Sequence, residues 1–287
     1  MFGDTPEEFR GYEQARAVIL PIPYEQSTSY LKGTAQGPQA ILNAAGQIEL
    51  FDEKVKVEPF RMGIHVLPFM KFSPEPEKFI SRVETEVFSH LKHNKLVIIL
   101  GGEHTLTVGG VKAAKKLFPN LGVVQIDAHA DLRDSYQNNP FSHACAMRRV
   151  LDYAPLFQIG IRSLSKEEFT LIQEKKITTL FGHELSARNL DLFFAKLPED
   201  IYLTIDLDGF DPAVVPGVGN PEPGGLNWEM TDHILEQISS RSKIRAFDIV
   251  ELRPLADEAR SEITAARLLY RILGYCARDQ VLPNFAL

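Results

Sequence analysis

The stretch Leu121-Gly122-Val123-Val124-Gln125-Ile126-Asp127-Ala128-His129-Ala130-Asp131 changes character halfway along. Up to Ile126 it is an apolar run of the kind that forms a buried strand. Beyond Ile126 three metal-competent side chains alternate with alanine. In extended backbone alternate residues share a face, so Asp127, His129 and Asp131 can converge with little bulk between them. Three such groups on one face would repel and desolvate badly without a cation. A bound metal is the first hypothesis, and a strand end carrying solvated acids is its rival.

Outward from this stretch, short apolar runs alternate with amphipathic ones. Strands are expected at 17–22, 61–66, 96–100, 121–126, 156–161, 177–180, 201–205 and 244–250, and helices at 38–45, 76–93, 105–118, 166–174, 190–196, 231–239 and 261–274. Pro38 suits a helix first turn, where its missing N–H costs nothing. Gly182, Gly209 and the Pro/Gly cluster at 216–225 punctuate loops. The regular alternation predicts an α/β fold, three layers with a mostly parallel sheet of about eight strands and helices on both faces. No linker, low-complexity tract or repeat interrupts it, so residues 1–287 are read as one domain.

Composition narrows the function classes. Of 287 residues 44% are apolar, ordinary for a globular protein able to build its core without disulfides. Cys145 and Cys276 have no paired or metal-finger spacing, which fits a reduced, cytoplasmic protein. The start shows no basic segment leading into an apolar one, and no run approaches the ~18 apolar residues of a membrane span. The net charge of −7 disfavours nucleic acid and mildly favours cationic ligands.

Parallel sheets bind ligands beyond the carboxyl ends of their strands. Four expected strands end in unusual residues: Gly101-Gly102-Glu103-His104, the Asp127–Asp131 motif, Asp206-Leu207-Asp208-Gly209-Phe210-Asp211-Pro212, and Glu251. From these, His104, Asp127, His129, Asp131, Asp206 and Asp208 form the candidate ligand set. Two imidazoles and four carboxylates exceed what one ion needs. Their oxygen-rich chemistry without thiolates suits two Mn²⁺ ions. Two divalent ions ~3.5–4 Å apart can lower the pKa of a shared water to near neutrality. A helix cap or solvated turn is the plainer reading of Asp206 and Asp208. His143, in Ser142-His143-Ala144-Cys145, is a candidate proton shuttle for a leaving amine, or else a structural histidine. Glu251 ends an apolar strand, where a planar guanidinium would satisfy it in a forked geometry; an internal arginine such as Arg253 is the alternative partner. His90 and His93 are expected on a solvated helix face, and His65, His183 and His233 show no partner motif. Cys145 reads as a small packing residue.

These motifs together resemble the ureohydrolase family of arginases and agmatinases. The likeness rests on Gly101-Gly102-Glu103-His104, on Asp127-Ala128-His129-Ala130-Asp131 and on Asp206-x-Asp208-x-x-Asp211-Pro212-x-x-x-Pro216-Gly217. It extends to Gly219-Asn220-Pro221-Glu222-Pro223-Gly224-Gly225, Ile249-Val250-Glu251-Leu252 and segments 33–41 and 263–267. The resemblance implies an arginase-like fold and a dimanganese site that hydrolyses a guanidino compound to urea and an amine. It assigns one ion to His104, Asp127, Asp131 and Asp206, and the other to Asp127, His129, Asp206 and Asp208. Glu251 would grip the guanidinium, Asp131 would accept the remaining proton of the attacking hydroxide, and His143 would relay a proton to the amine.

Residues 134–142 lack the Ser-Gly-Asn type of run that arginases carry. The Ser-His-Ala-Cys motif is similar to a branch of agmatinase-like sequences. Agmatine, giving putrescine and urea in polyamine biosynthesis, is the expected substrate. N1-aminopropylagmatine, guanidinobutyrate and arginine are the alternatives. Relatives imply a homo-oligomer, trimer or hexamer. Two rivals come from other classes. A single-zinc acetylpolyamine amidohydrolase would want an adjacent histidine pair, absent from this chain. A non-catalytic regulatory relative would carry a broken ligand set, and here the set is intact.

Overall fold

The structure, a computed structural model, describes residues 1–281. Its strands are β1 (Ala17–Ile22), β2 (Ile64–Val66), β3 (Leu96–Gly101), β4 (Gly122–Ile126), β5 (Leu156–Ile161), β6 (Thr178–Phe181), β7 (Asp200–Asp206) and β8 (Lys243–Val250). They form one eight-stranded sheet in the order β2-β1-β3-β8-β7-β4-β5-β6. Each neighbouring pair runs parallel.

The continuous apolar strands follow from burial on both sheet faces. Ile98 and Leu100 of β3 join one core, and Val97 and Ile99 join the other. The first core packs α1 (Gly37–Ala44), α6 (Ala187–Phe194), α7 (Trp228–Arg241) and α8 (Arg260–Val281) on the sheet. The second packs α2 (Pro76–Leu91), α3 (Thr107–Leu117), α4 (Ala146–Val150) and α5 (Lys166–Lys175). This is the expected three-layer α/β architecture. Among the described residues no helix is long and apolar enough to cross a membrane.

The expected boundaries shift where local chemistry decides. The first residues of the expected 61–66 strand close a 3-10 turn, Pro59–Met62, and pairing begins only at Ile64. The 105–118 helix starts with a 3-10 turn, His104–Leu106. Helix α4 is a correction to the expected elements, for at only five residues it is too short to show a helical period. Ser165 begins α5 with a capping box, its side chain accepting from Glu168 N while Glu168 accepts from Ser165 N.

Topology brings the unusual strand ends together. The central strands are β3, β8, β7 and β4, neighbours in the sheet although far apart in the chain. Their registers are level: Leu100 pairs with Ile249, Ile205 with Ile249, Asp206 with Val250, and Ile126 with Ile205. His104, Asp127, Asp206 and Glu251 therefore leave the sheet at one height, along its carboxyl edge.

Candidate metal and substrate site

Strand β4 stops at Ile126, so the expected extended run holds only in part. His129 keeps a single parallel bridge to Ser163, and Asp131 turns into the left-handed region at φ 52°. Glu251 at the end of β8 does the same, at φ 64°. Such a conformation costs a non-glycine residue ~1–3 kcal/mol and persists only where surroundings enforce it. Both residues are nevertheless buried, 6% exposed each, and face the same cavity.

All six candidate ligands converge. Nδ1 of His104 faces Asp131 at 2.9 Å, Asp127 at 3.2 Å and Asp206 at 3.5 Å. Nδ1 of His129 faces Asp208 at 2.9 Å and Asp127 at 3.7 Å. His104, Asp127 and Asp206 form one group able to hold a metal ion, and Asp127, His129 and Asp208 form a second. Asp127 belongs to both, turning Oδ2 toward His104 and Oδ1 toward His129. The reading of Asp206 and Asp208 as a cap is half right: Asp206 does accept from Asp208 N at 2.9 Å, but both are buried rather than solvated.

The site fits a pair of divalent cations on two counts. Nδ1 of His104 is buried and has no hydrogen-bond partner, although three carboxylates surround it. Such an orphan is costly unless something else takes its lone pair. The second count is charge. Burial raises the pKa of Asp127 to about 7, with Asp208 and Asp131 adding to it. Asp206 is pushed well above its ordinary range by burial and by Asp208, Asp127 and Glu251. Burial opposes the charge on His129, but Asp208 and Asp127 outweigh it and raise its pKa to about 10. His104 likewise rises against its burial, through Asp127 and Asp131. The protons held by this cluster are the ones that cations would displace.

Each imidazole is held by its other nitrogen. His104 Nε2 lies 2.8 Å from Thr204 Oγ1, and that hydroxyl donates to Asp248 at 2.6 Å. Asp248 is buried in mid-sheet and also accepts from Thr107 and Tyr202, both at 2.8 Å. With its proton given to Asp248, Thr204 accepts from Nε2–H of His104, which leaves Nδ1 its lone pair. The Asn220 amide lies 3.0 Å from His129 Nε2. Gln125 Nε2 donates to Asp127 Oδ2 at 2.7 Å, and Gln158 Nε2 donates to Gln125 Oε1 at 2.7 Å.

Sequence reading missed Asp248, Thr204, Gln125 and Gln158, yet a signal was present. Each is a polar residue inside an otherwise apolar strand. Gln125 and Thr204 stand two residues before the ligands Asp127 and Asp206. The strand period of two aims such residues at the face of the terminal ligand.

The cavity, about 220 Å³, is lined by Asp131, Asp206, Asp208 and Glu251 at its floor and by Tyr30, Arg133, Tyr136 and His143 among others. Glu251 Oε1 accepts from the backbone N–H of His104 at 2.8 Å. Burial and Glu103 push its pKa well above the usual carboxylate range. The alternative partner fails: Arg253 Nε donates instead to the Lys32 carbonyl at 2.9 Å. Among the other histidines, the expectation of solvent for His90 is corrected. It is 8% exposed and shares a 2.8 Å hydrogen bond with Tyr12 OH. His65 also has a partner, the carbonyl of Arg10 at 2.8 Å. Cys145 is buried packing, as expected.

The arginase family model matches residues 15–274. The N(1)-aminopropylagmatine ureohydrolase of Synechocystis sp. is 36% identical over 285 residues, covering 96% of this chain and 93% of that protein. The agmatinase of Pyrococcus horikoshii is 34% identical over 273 residues, covering 93% of this chain and 94% of that one. Among solved structures, the agmatine ureohydrolase of Thermoplasma volcanium superposes with a TM-score of 0.89 at 32% identity, covering 98% of this chain and 96% of its own.

Proposed function

This chain belongs to the arginase family of hydrolases, and from that premise we propose that it is a Mn²⁺-dependent ureohydrolase converting agmatine to putrescine and urea. The observation that carries the reading is the pair of ligand groups sharing Asp127 beneath a cavity whose floor includes Glu251. Mn²⁺ is favoured over zinc by a donor set of four carboxylates and two imidazoles without thiolate. When bound, two such ions supply Lewis acidity and a water acidic enough to act at neutral pH.

The side chains supply the rest. Glu251, buried and with no arginine partner among the described residues, takes the guanidinium through charge-assisted hydrogen bonds. Water that has given one proton to solvent adds to the guanidinium carbon as hydroxide, giving a neutral tetrahedral species. Asp131, at the floor of the cavity, accepts the proton that the incoming oxygen gives up and passes it to the departing nitrogen. His143, at the cavity wall, gives the amine a further proton drawn from solvent. The carbon–nitrogen bond breaks, and urea and a protonated amine leave.

A second substrate, N1-aminopropylagmatine, is favoured by the name of the 36% identical Synechocystis relative. Both substrates present one guanidinium to Glu251, and N1-aminopropylagmatine has a longer tail with one more amine. The acidic chain, net charge −7, suits either cation and no nucleic acid. The proposal includes assembly into trimers or hexamers, read by sedimentation. Its test is urea release after Mn²⁺ loading from agmatine, N1-aminopropylagmatine, guanidinobutyrate and arginine side by side. The highest kcat/KM belongs to a cationic-tailed substrate. Release from none of the four removes the proposal, and one zinc per chain with deacetylation of an acetylpolyamine replaces it with the amidohydrolase reading.

A further inference from the structure

Glu103 lies inside the most recognisable motif of the chain, yet it belongs to neither ligand group and does not line the cavity. It is wholly buried. Four donors converge on its carboxyl group: the backbone N–H groups of Gln26 and Ser27, both 2.6 Å from Oε2, and the hydroxyls of Thr105 and Ser27, 2.8 and 2.9 Å from Oε1. The loop that carries Ser27 is pressed onto this motif because residue 102 is glycine. A Cβ there would stand 2.1 Å from the Tyr24 carbonyl oxygen.

Ser27 Oγ has one proton and three neighbours. It is 2.9 Å from Glu103 Oε1, 2.9 Å from the backbone nitrogen of His143, and 3.1 Å from His143 Nδ1. The His143 backbone N–H can only donate. Glu103, with donors at both oxygens, accepts. The serine proton therefore goes to Glu103, and the serine oxygen has lone pairs for two N–H groups of His143, backbone and Nδ1. A second hydroxyl, Ser142 Oγ, lies farther from Nδ1, at 3.3 Å. With Nδ1 protonated, the neutral ring keeps its lone pair on Nε2, beside the exposed Ser29 hydroxyl at 3.5 Å. Tyr136 packs edge-on against the ring at 6.2 Å.

Building on the ureohydrolase reading, we propose that Ser27 and Glu103 are positioning residues for His143, holding its proton on Nδ1 so that Nε2 exchanges protons with the leaving amine. The balance is simple. Nε2–H of the charged ring gives its proton to the departing nitrogen, solvent restores it, and Nδ1–H stays on Ser27 in both states. A ring with the opposite tautomer would place its lone pair on the serine and present an N–H that it cannot give up while neutral.

The test uses the full-length, Mn²⁺-loaded enzyme. Ser27→Ala is expected to lower kcat on the order of tenfold or more while KM and manganese content stay put, and Ser27→Thr, which keeps the hydroxyl, to restore most of the rate. In a His143→Ala background Ser27→Ala should cost nothing further, because its effect passes through the ring. A full additional loss there, or KM rising in step with kcat, overturns the proposal. An independent readout is ¹⁵N NMR of the Mg²⁺-loaded protein, with the His143 signals identified by their loss in His143→Ala. Protonated Nδ1 is expected, and a protonated Nε2 in an enzyme that releases urea removes the role while leaving the activity. Absence of urea release from every guanidino compound instead removes the ureohydrolase reading and this role together.

Discussion

His104 and His143 are each tied through a hydroxyl to a buried carboxylate, and the two ties are made at opposite ends of the ring. At His104 the chain is Nε2, Thr204, Asp248, enclosed between β7, β8 and α3. Its Nδ1 is left facing Asp127, Asp131 and Asp206. At His143 the chain is Nδ1, Ser27, Glu103, set on a half-buried 3-10 turn at the cavity wall. Its Nε2 is left beside the exposed Ser29 hydroxyl, and both residues line the cavity. The lesson is that a histidine's job follows from which nitrogen is engaged and how much water reaches the other. A dry lone pair among carboxylates suits a cation, and a wet one suits proton exchange with solvent.

Variants can break that contrast, and the largest effect is expected where the two ligand groups meet. Asp127→Ala removes the side chain common to both groups and should abolish metal retention, with turnover falling on the order of 10⁴-fold or more. Manganese content equal to the parent's would show that Asp127 is not shared. Next, His143→Ala should keep its metal and slow urea release ~10²–10⁴-fold. A rate within error of the parent would put the shuttle elsewhere and end the contrast.

A smaller effect sharpens the metal side. Asp248→Ala deprives Thr204 of its acceptor and should weaken Mn²⁺ affinity about 10–100-fold, while kcat at saturating Mn²⁺ moves little. Ser27→Ala should show the reverse. If both variants move the same quantity, the two ties are not functionally distinct. Smallest per step is the pH effect. The pKa of His129 is raised to about 10, so at neutral pH its ring holds a proton that Mn²⁺ must displace. Affinity for Mn²⁺ therefore rises as pH climbs from neutrality toward 10, by about tenfold per unit for each proton displaced. Calorimetry in buffers of different ionisation enthalpy counts those protons, and a count of zero contradicts that direction.

The contrast also shows what can be read without coordinates. The ligand set was legible because acids and histidines at strand ends are chemically expensive and hence informative. His90 was misjudged for a related reason: neighbouring lysines suggested a wet face, but Tyr12, 78 residues away in the chain, covers it. The partners of His104 and His143 come from other segments as well. Thr204 lies 100 residues from His104, and Ser27 lies 116 from His143. No local spacing announces such pairs.

Residue chemistry and strand periodicity alone determined the layered α/β class, the strand ends that carry the site, and the surplus of ligands that asks for two ions. Only the tertiary structure decided that β3, β8, β7 and β4 lie side by side, which sets their ends level and lets Asp127 serve both groups. It also decided which nitrogen of each histidine is occupied. The physical reason is that side-chain type and period are local properties of the chain, whereas strand order and hydrogen-bond direction arise only when distant segments pack and a single proton must choose between two acceptors.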